Sequence, residues 1–86
     1  MGQGFPRNYE KAVEWFTKAA EQQSDVAQFN LGVCYQYGYG VTKSYETAVD
    51  WYTKSANQND GAAHLYLGIC YEQGLGVPKS YAKAVE

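Results

Sequence analysis

Few residues in this chain of 86 are able to do chemistry: one histidine, His64, two cysteines, Cys34 and Cys70, and nine carboxylate side chains. An imidazole can serve as a general base or a metal ligand, and a thiol as a nucleophile, a ligand or half of a disulfide. A tetrahedral zinc site needs four ligands, and one His with two distant Cys does not supply them. The Asp and Glu residues fall mostly on solvated helix faces, with no carboxylate pair singled out for acid–base work. The glycine pairs Gly38-Tyr39-Gly40 and Gly74-Leu75-Gly76 invite comparison with a phosphate cradle. Neither completes G-x-G-x-x-G or G-x-x-x-x-G-K-[ST], and no strand precedes them, so they read as turns. These residues point to no enzyme, no metal and no cofactor.

The spacing of these same residues is more informative than their chemistry. Tyr9, Tyr45 and Tyr81 are separated by equal steps of 36 residues, and on the same step Trp15 answers Trp51 and Cys34 answers Cys70. Gly2, Gly38 and Gly74 form one series, Gly4, Gly40 and Gly76 another, and Phe5, Val41 and Val77 follow each second glycine. Overlaying residues 2–37 on 38–73 gives 16 identities in 36 positions. Residues 2–37 are read as a partial repeat, 38–73 as a repeat, and 74–86 as a truncated one, together forming a single repeat domain over 1–86. His64 has Gln28 as its counterpart, which marks the position as polar and exposed and not as catalytic.

Each unit carries two helical patterns. Ala12, Trp15, Phe16, Ala19 and Ala20 recur as Ala48, Trp51, Tyr52, Ser55 and Ala56, spaced i, i+3, i+4, i+7 and i+8, an amphipathic helix. Asn8, Ser44 and Ser80 are placed to cap it. Ala27, Leu31, Cys34 and Tyr35, repeated as Ala63, Leu67, Cys70 and Tyr71, predict a second helix, capped by Ser24 or Asp25 and by Asp60. Asn59 tolerates the left-handed conformation that ends the preceding helix, and Gln23 does so less readily. Gly32 and Gly68, inside good helices, each cost about 1 kcal/mol relative to Ala and so point to close helix approach. Trp15 and Trp51 are the expected large wedges of the core.

The formal net charge is -2, with seven Lys and Arg against nine Asp and Glu, and aromatic residues make up 16%. No basic run exists, so neither nucleic acid nor a membrane surface is indicated as a partner. No apolar stretch reaches the ~20 residues that span a bilayer, and the first residues show neither a basic nor an apolar targeting region. The chain therefore reads as soluble.

These residues resemble the Sel1-like repeat family, whose pattern runs Ala, L-G-x-x-Y, G-x-G-V, a polar cap with Tyr, then A-x-x-W-Y/F-x-K-A-A. Here it reads Ala27, Leu31-Gly32, Tyr35, Gly38, Gly40-Val41, Ser44-Tyr45, Ala48, Trp51-Tyr52 and Lys54-Ser55-Ala56, with Ser55 where Ala is usual. The resemblance implies an all-α fold, a right-handed α-α superhelix of antiparallel helix pairs related to tetratricopeptide repeats, acting as a scaffold that binds a protein or peptide partner. Some relatives staple each repeat with paired cysteines, an arrangement this chain lacks. Cys34 and Cys70 sit at equivalent places in stacked helices roughly 8 to 10 Å apart, whereas a disulfide needs Cα atoms within ~7 Å. Two buried, reduced thiols are expected, which favours a reducing compartment such as the cytoplasm.

By resemblance to tetratricopeptide repeats, the helix bearing L-G-x-x-Y lines the concave groove. The residues carried over as partner-binding are Val26, Phe29, Asn30, Val33, Gln36 and Tyr37, then Ala62, Leu65, Tyr66, Ile69, Glu72 and Gln73. Such a surface suits an apolar peptide and lacks the Lys and Arg that would clamp a terminal carboxylate. The chain starts inside a repeat and stops at Ala84-Val85-Glu86, before a third Trp would fall, which reads as part of a longer array. The alternative function is a structural segment that self-associates through its uncapped end helices.

Overall fold

A computed structural model describes residues 8–78 together with Ser80 and Lys83. The expectations placed on Gly2, Gly4, Phe5, Tyr81 and residues 84–86 lie outside the described residues. Among the described residues four helices follow one another: α1 (Tyr9–Glu21), α2 (Asp25–Tyr37), α3 (Tyr45–Ala56) and α4 (Gly61–Gln73). The main packing is between chain neighbours, α1 on α2, α2 on α3 and α3 on α4. This is the expected all-α solenoid, in which no helix pair buries its apolar face without the next.

Side-chain oxygens start all four helices. Asn8, Ser24, Ser44 and Asp60 accept from the backbone N–H groups of Lys11, Ala27, Thr47 and Ala63 at 2.9 to 3.2 Å. Ser80 does the same for Lys83. Where Ser24 and Asp25 were both candidates, Ser24 is the cap.

Helix ends use left-handed residues. Gly38 and Gly74 close α2 and α4 with φ of 73° and 69°, and the amides of Tyr39 and Leu75 return to the carbonyls of Cys34 and Cys70 at 2.8 Å. After α1 and α3 the left-handed residues are not glycine but Gln23 at φ 72° and Asn59 at φ 69°. A Cβ in that region strains against the following carbonyl, least of all in Asn. Gln23→Gly is therefore expected to stabilise the chain by about 1 kcal/mol, raising Tm by roughly 5 °C. Asn59→Gly should gain less. Thermal unfolding followed by far-UV circular dichroism checks both, and a lowered Tm for Gln23→Gly would contradict the strain argument.

Two clusters form the core. One joins Ala20, Ala27 and Leu31, with Val13, Phe16, Ala19, Tyr35 and Trp51 against them. The other joins Ala48, Val49, Tyr52 and Cys70, with Phe29, Val33, Tyr66 and Leu75 among its neighbours. Gly32 serves the expected close approach: a Cβ there would overlap the Tyr52 ring, so the ring lies flat on bare α2 backbone.

The wedge assignment needs correcting. Trp51 packs partly buried on the first cluster, but Trp15 is 72% exposed, and Tyr52 is the largest fully buried side chain. The two Trp share one register, yet burial of that register comes from the second helix of the preceding pair. Trp51 meets α2 in this way, and no helix among the described residues precedes α1.

Buried polar groups fasten the units. Ser55, wholly buried, donates its hydroxyl to the Asp25 carbonyl at 2.7 Å, which gives a reason for Ser where Ala is usual. His64 is exposed, as expected, whereas its counterpart Gln28 is buried, so the polar character of position 28 does not carry exposure with it. The Gln28 amide donates to the Ala20 carbonyl at 3.2 Å and accepts from Gln58 at 2.9 Å. The first bond gives the Ala20 carbonyl, which already accepts from the Gln23 amide, a second donor, and the second ties α2 to the end of α3.

Candidate functional site

The expected binding residues lie on α2 and α4, and the local sequence explains why both helices have a side left over. Ala27, Leu31 and Cys34 on α2, and Ala63 and Cys70 on α4, are buried on the packing side. Positions 26, 30, 33 and 37 share another side of α2, because 3.6 residues per turn carry them around the helix together. On α2, Val26 is 58% and Tyr37 52% exposed, and on α4 Leu65 is 62% exposed. Ala62, Glu72 and Gln73 are exposed as well, while Phe29, Asn30, Val33, Tyr66 and Ile69 are half-buried.

Some of these residues meet across the repeat boundary. The rings of Phe29 on α2 and Tyr66 on α4 stand edge to face at 5.1 Å between centroids, and both lean on Tyr52 of α3, at 5.8 and 5.7 Å. The two second helices therefore touch directly on this side of the stack. Such edge-to-face contacts add to what area burial supplies, so Phe29 and Tyr66 hold the surface together as well as line it. Val33 packs on the same cluster.

Gln36 departs from the expected set. It is buried, and its Oε1 accepts the hydroxyl of Tyr52. Burying a tyrosine requires a partner for its O–H, and Gln36 is that partner. It has no capacity to face a ligand while the bond holds. Glu72, one period later, is exposed.

A second aromatic group was not singled out in the sequence. Tyr39 stacks on Tyr9 at 4.7 Å and 13° between planes, and Tyr37 stacks on Tyr39 at 5.6 Å and 27°. The ladder stands at the end of α2. Its signal was available as Tyr at 37 and 39 where the next unit has Gln73 and Leu75.

Among the described residues the reactive groups do not gather. Cys34 and Cys70 are free thiols and buried, and burial pushes both thiols above their ordinary pKa, the reverse of an activated nucleophile. Burial likewise raises the Tyr52 phenol, with the neighbouring Cys70 adding to it. Among the described residues, no three of His, Cys, Asp and Glu converge as a metal site. No helix among them is long and apolar enough to cross a membrane.

Comparisons agree with this geometry. No curated protein matches the chain. A solved protective antigen present in uropathogenic Escherichia coli strains, displaying an SLR fold, is 47% identical with a TM-score of 0.86, over 87% of this chain and 16% of its own. A Sel1 repeat protein from Oxalobacter formigenes is 43% identical with a TM-score of 0.89, over 98% of this chain and 35% of its own. The chain thus spans a minor part of either solved protein. Sel1 repeats are generally protein–protein interaction scaffolds. With the Sel1 repeat model matching residues 1–24, 25–60 and 61–86, on a stack of helix pairs whose glycines and caps repeat in step, the chain belongs to the Sel1 repeat family.

Proposed function

We propose that this chain is part of a protein-binding scaffold, and that the side of the stack formed by α2 and α4 is its groove for a peptide or protein partner. The observation that carries the reading is the exposure of Val26, Tyr37 and Leu65, large apolar residues on the two second helices, which meet through the Phe29–Tyr66 contact. Exposed apolar side chains on a rigid base are what an apolar peptide anchor needs. Among the described residues no metal-binding cluster competes with that use.

Because Phe29 and Tyr66 also lean on Tyr52, replacing them would loosen the fold. The better probe is Val26→Ser with Leu65→Ser, whose side chains are mostly in solvent. Peptides selected from a displayed random library on the wild-type chain are expected to bind this double variant at least about tenfold more weakly, a change of about 1.4 kcal/mol, with the circular dichroism spectrum unchanged. Equal binding by both proteins would sink the groove.

The exposed Trp15 favours a second reading. Its repeat-mate Trp51 is covered by Ala20, Ala27 and Leu31, whereas Trp15 borders an open hollow with Lys18, Ala19 and Gln22. A second copy docking there would make a head-to-tail contact. Light scattering is expected to show concentration-dependent mass for the wild type and a monomer for Trp15→Ser. A wild type monomeric at every concentration would remove this reading.

A further inference from the structure

We infer that a second copy docks on Trp15 with the outer side of its α4, so that α4 of one copy covers α1 of the next as α2 covers α3 within one chain. This names the partner surface for the self-association reading and rests on it. The template is the junction between α2 and α3. There the Tyr52 ring lies on Gly32, Phe29 leans on Tyr52 at 5.8 Å, and Trp51 packs on Ala20, Ala27 and Leu31.

Both halves of that junction recur 36 residues away, and among the described residues they are less covered. Gln28, Leu31, Gly32 and Gln36 are buried on α2, whereas on α4 their counterparts His64 and Glu72 are exposed, and Leu67 and Gly68 half-buried. On the first helices Tyr52 and Ser55 are wholly buried, while Phe16 and Ala19 are half-buried and Trp15 is open. Trp15 and Leu65, the two most exposed large apolar side chains among the described residues, stand on the first and last helices, and their counterparts Trp51 and Phe29 both pack at the inner junction. Surfaces that fit each other but lie at opposite ends of a chain make a head-to-tail contact.

The inner register assigns the pairs. The Phe16 ring of one copy falls on Gly68 of the other, Leu65 meets Phe16, and Trp15 packs on Ala56, Ala63 and Leu67. Two polar ties of the inner junction have no equivalent: Tyr52 donates to Gln36 and Ser55 to the Asp25 carbonyl, whereas Phe16 and Ala19 have no hydroxyl for Glu72 and the Gly61 carbonyl. Glu72 would also lose water opposite an apolar ring, which is unfavourable. A competitor exists as well, since Tyr81-Ala-Lys-Ala-Val-Glu86 repeats Tyr9–Glu14 with Ala82 for Glu10, behind a Ser80 whose amide reaches the Tyr71 carbonyl as Ser44 reaches Tyr35. The incoming α1 differs by adding Trp15, Phe16 and Ala19. The contact is therefore weaker than the inner junction and forms at high concentration.

The test mixes two variants that each keep one surface. Gly68→Leu puts a side chain where the Phe16 ring must lie and keeps Trp15, while Trp15→Ser keeps α4. In sedimentation equilibrium, with circular dichroism showing both folded, each variant is expected to be monomeric at concentrations where the wild type associates. Their equimolar mixture should form a dimer and nothing larger, because each pair of chains retains one matching pair of surfaces. A mixture that stays monomeric, or a Gly68→Leu chain that associates like the wild type, would overturn this inference and leave docking at Trp15 standing. Association unchanged by Trp15→Ser, or absent from the wild type, would overturn both. Phe16→Tyr with Glu72→Gln supplies the missing hydroxyl and amide, and is expected to tighten association about tenfold. No tightening would overturn the register.

Discussion

Tyr52→Ala is expected to be the most damaging truncation in the chain, costing about 4 kcal/mol in urea unfolding followed by circular dichroism. The ring is fully buried, lies on Gly32 and supports both Phe29 and Tyr66, so its loss leaves a cavity at the point where α2, α3 and α4 meet. A chain of this size holds only about 4 to 13 kcal/mol in all, and the variant should be largely unfolded in mild urea. Tyr52→Phe separates the ring from its hydroxyl. It keeps the packing but leaves Gln36 buried without its donor, for which about 1.5 kcal/mol is expected. Adding Gln36→Leu should recover most of that loss, because removing both partners of a buried bond is far cheaper than removing one. A Tyr52→Ala variant no weaker than Tyr52→Phe would show that the ring is not the keystone.

The second large effect belongs to the corner glycines. Gly40→Ala is expected to cost about 3 kcal/mol or more, against about 1 to 2 kcal/mol for Gly38→Ala. Both have positive φ, so both carry the left-handed strain. They differ in what a Cβ would meet. At Gly40 it would stand 2.5 Å from the Tyr9 carbonyl carbon and 2.6 Å from its oxygen, while at Gly38 the nearest atom, Lys43 Cβ, is 3.4 Å away. Backbone at the start of α1 cannot move aside as a side chain can. Gly76 repeats the arrangement on Tyr45, so Gly76→Ala should behave like Gly40→Ala. Equal losses at Gly38 and Gly40 would mean that the corner yields.

These corners show what made the fold readable. The G-x-G pairs, the caps Asn8, Ser44 and Asp60, and the apolar stripes all act within a few residues of themselves, through φ preference, a hydrogen bond to a near amide, or helical spacing. Repetition on one step then printed each local rule more than once. The left-handed turns at Gln23 and Asn59 were legible for the same reason, although Gln is a poor choice for the role.

The candidate site was legible only in part. Val26 and Leu65 could be assigned to an outer face because helical spacing carries the first off the stripe of Ala27, Leu31 and Cys34 and the second off that of Ala63, Leu67 and Cys70. Gln36 could not be distinguished from them by spacing alone: its fate depends on the Tyr52 hydroxyl sixteen residues away in sequence. The same holds for Gln28, buried by bonds to Ala20 and Gln58 while His64 at the equivalent place stays outside.

The tryptophans mark the division most clearly. The sequence by itself determined helix positions, caps, corners and the register that Trp15 shares with Trp51, since these depend on neighbours along the chain. Only the tertiary structure decided that Trp51 is packed against Ala20, Ala27 and Leu31 while Trp15 is open to solvent, and that Tyr52 takes the centre of the core. Burial in a stacked array is a property of the pair of units that meet, and a residue's register states which surface it belongs to without stating what covers that surface.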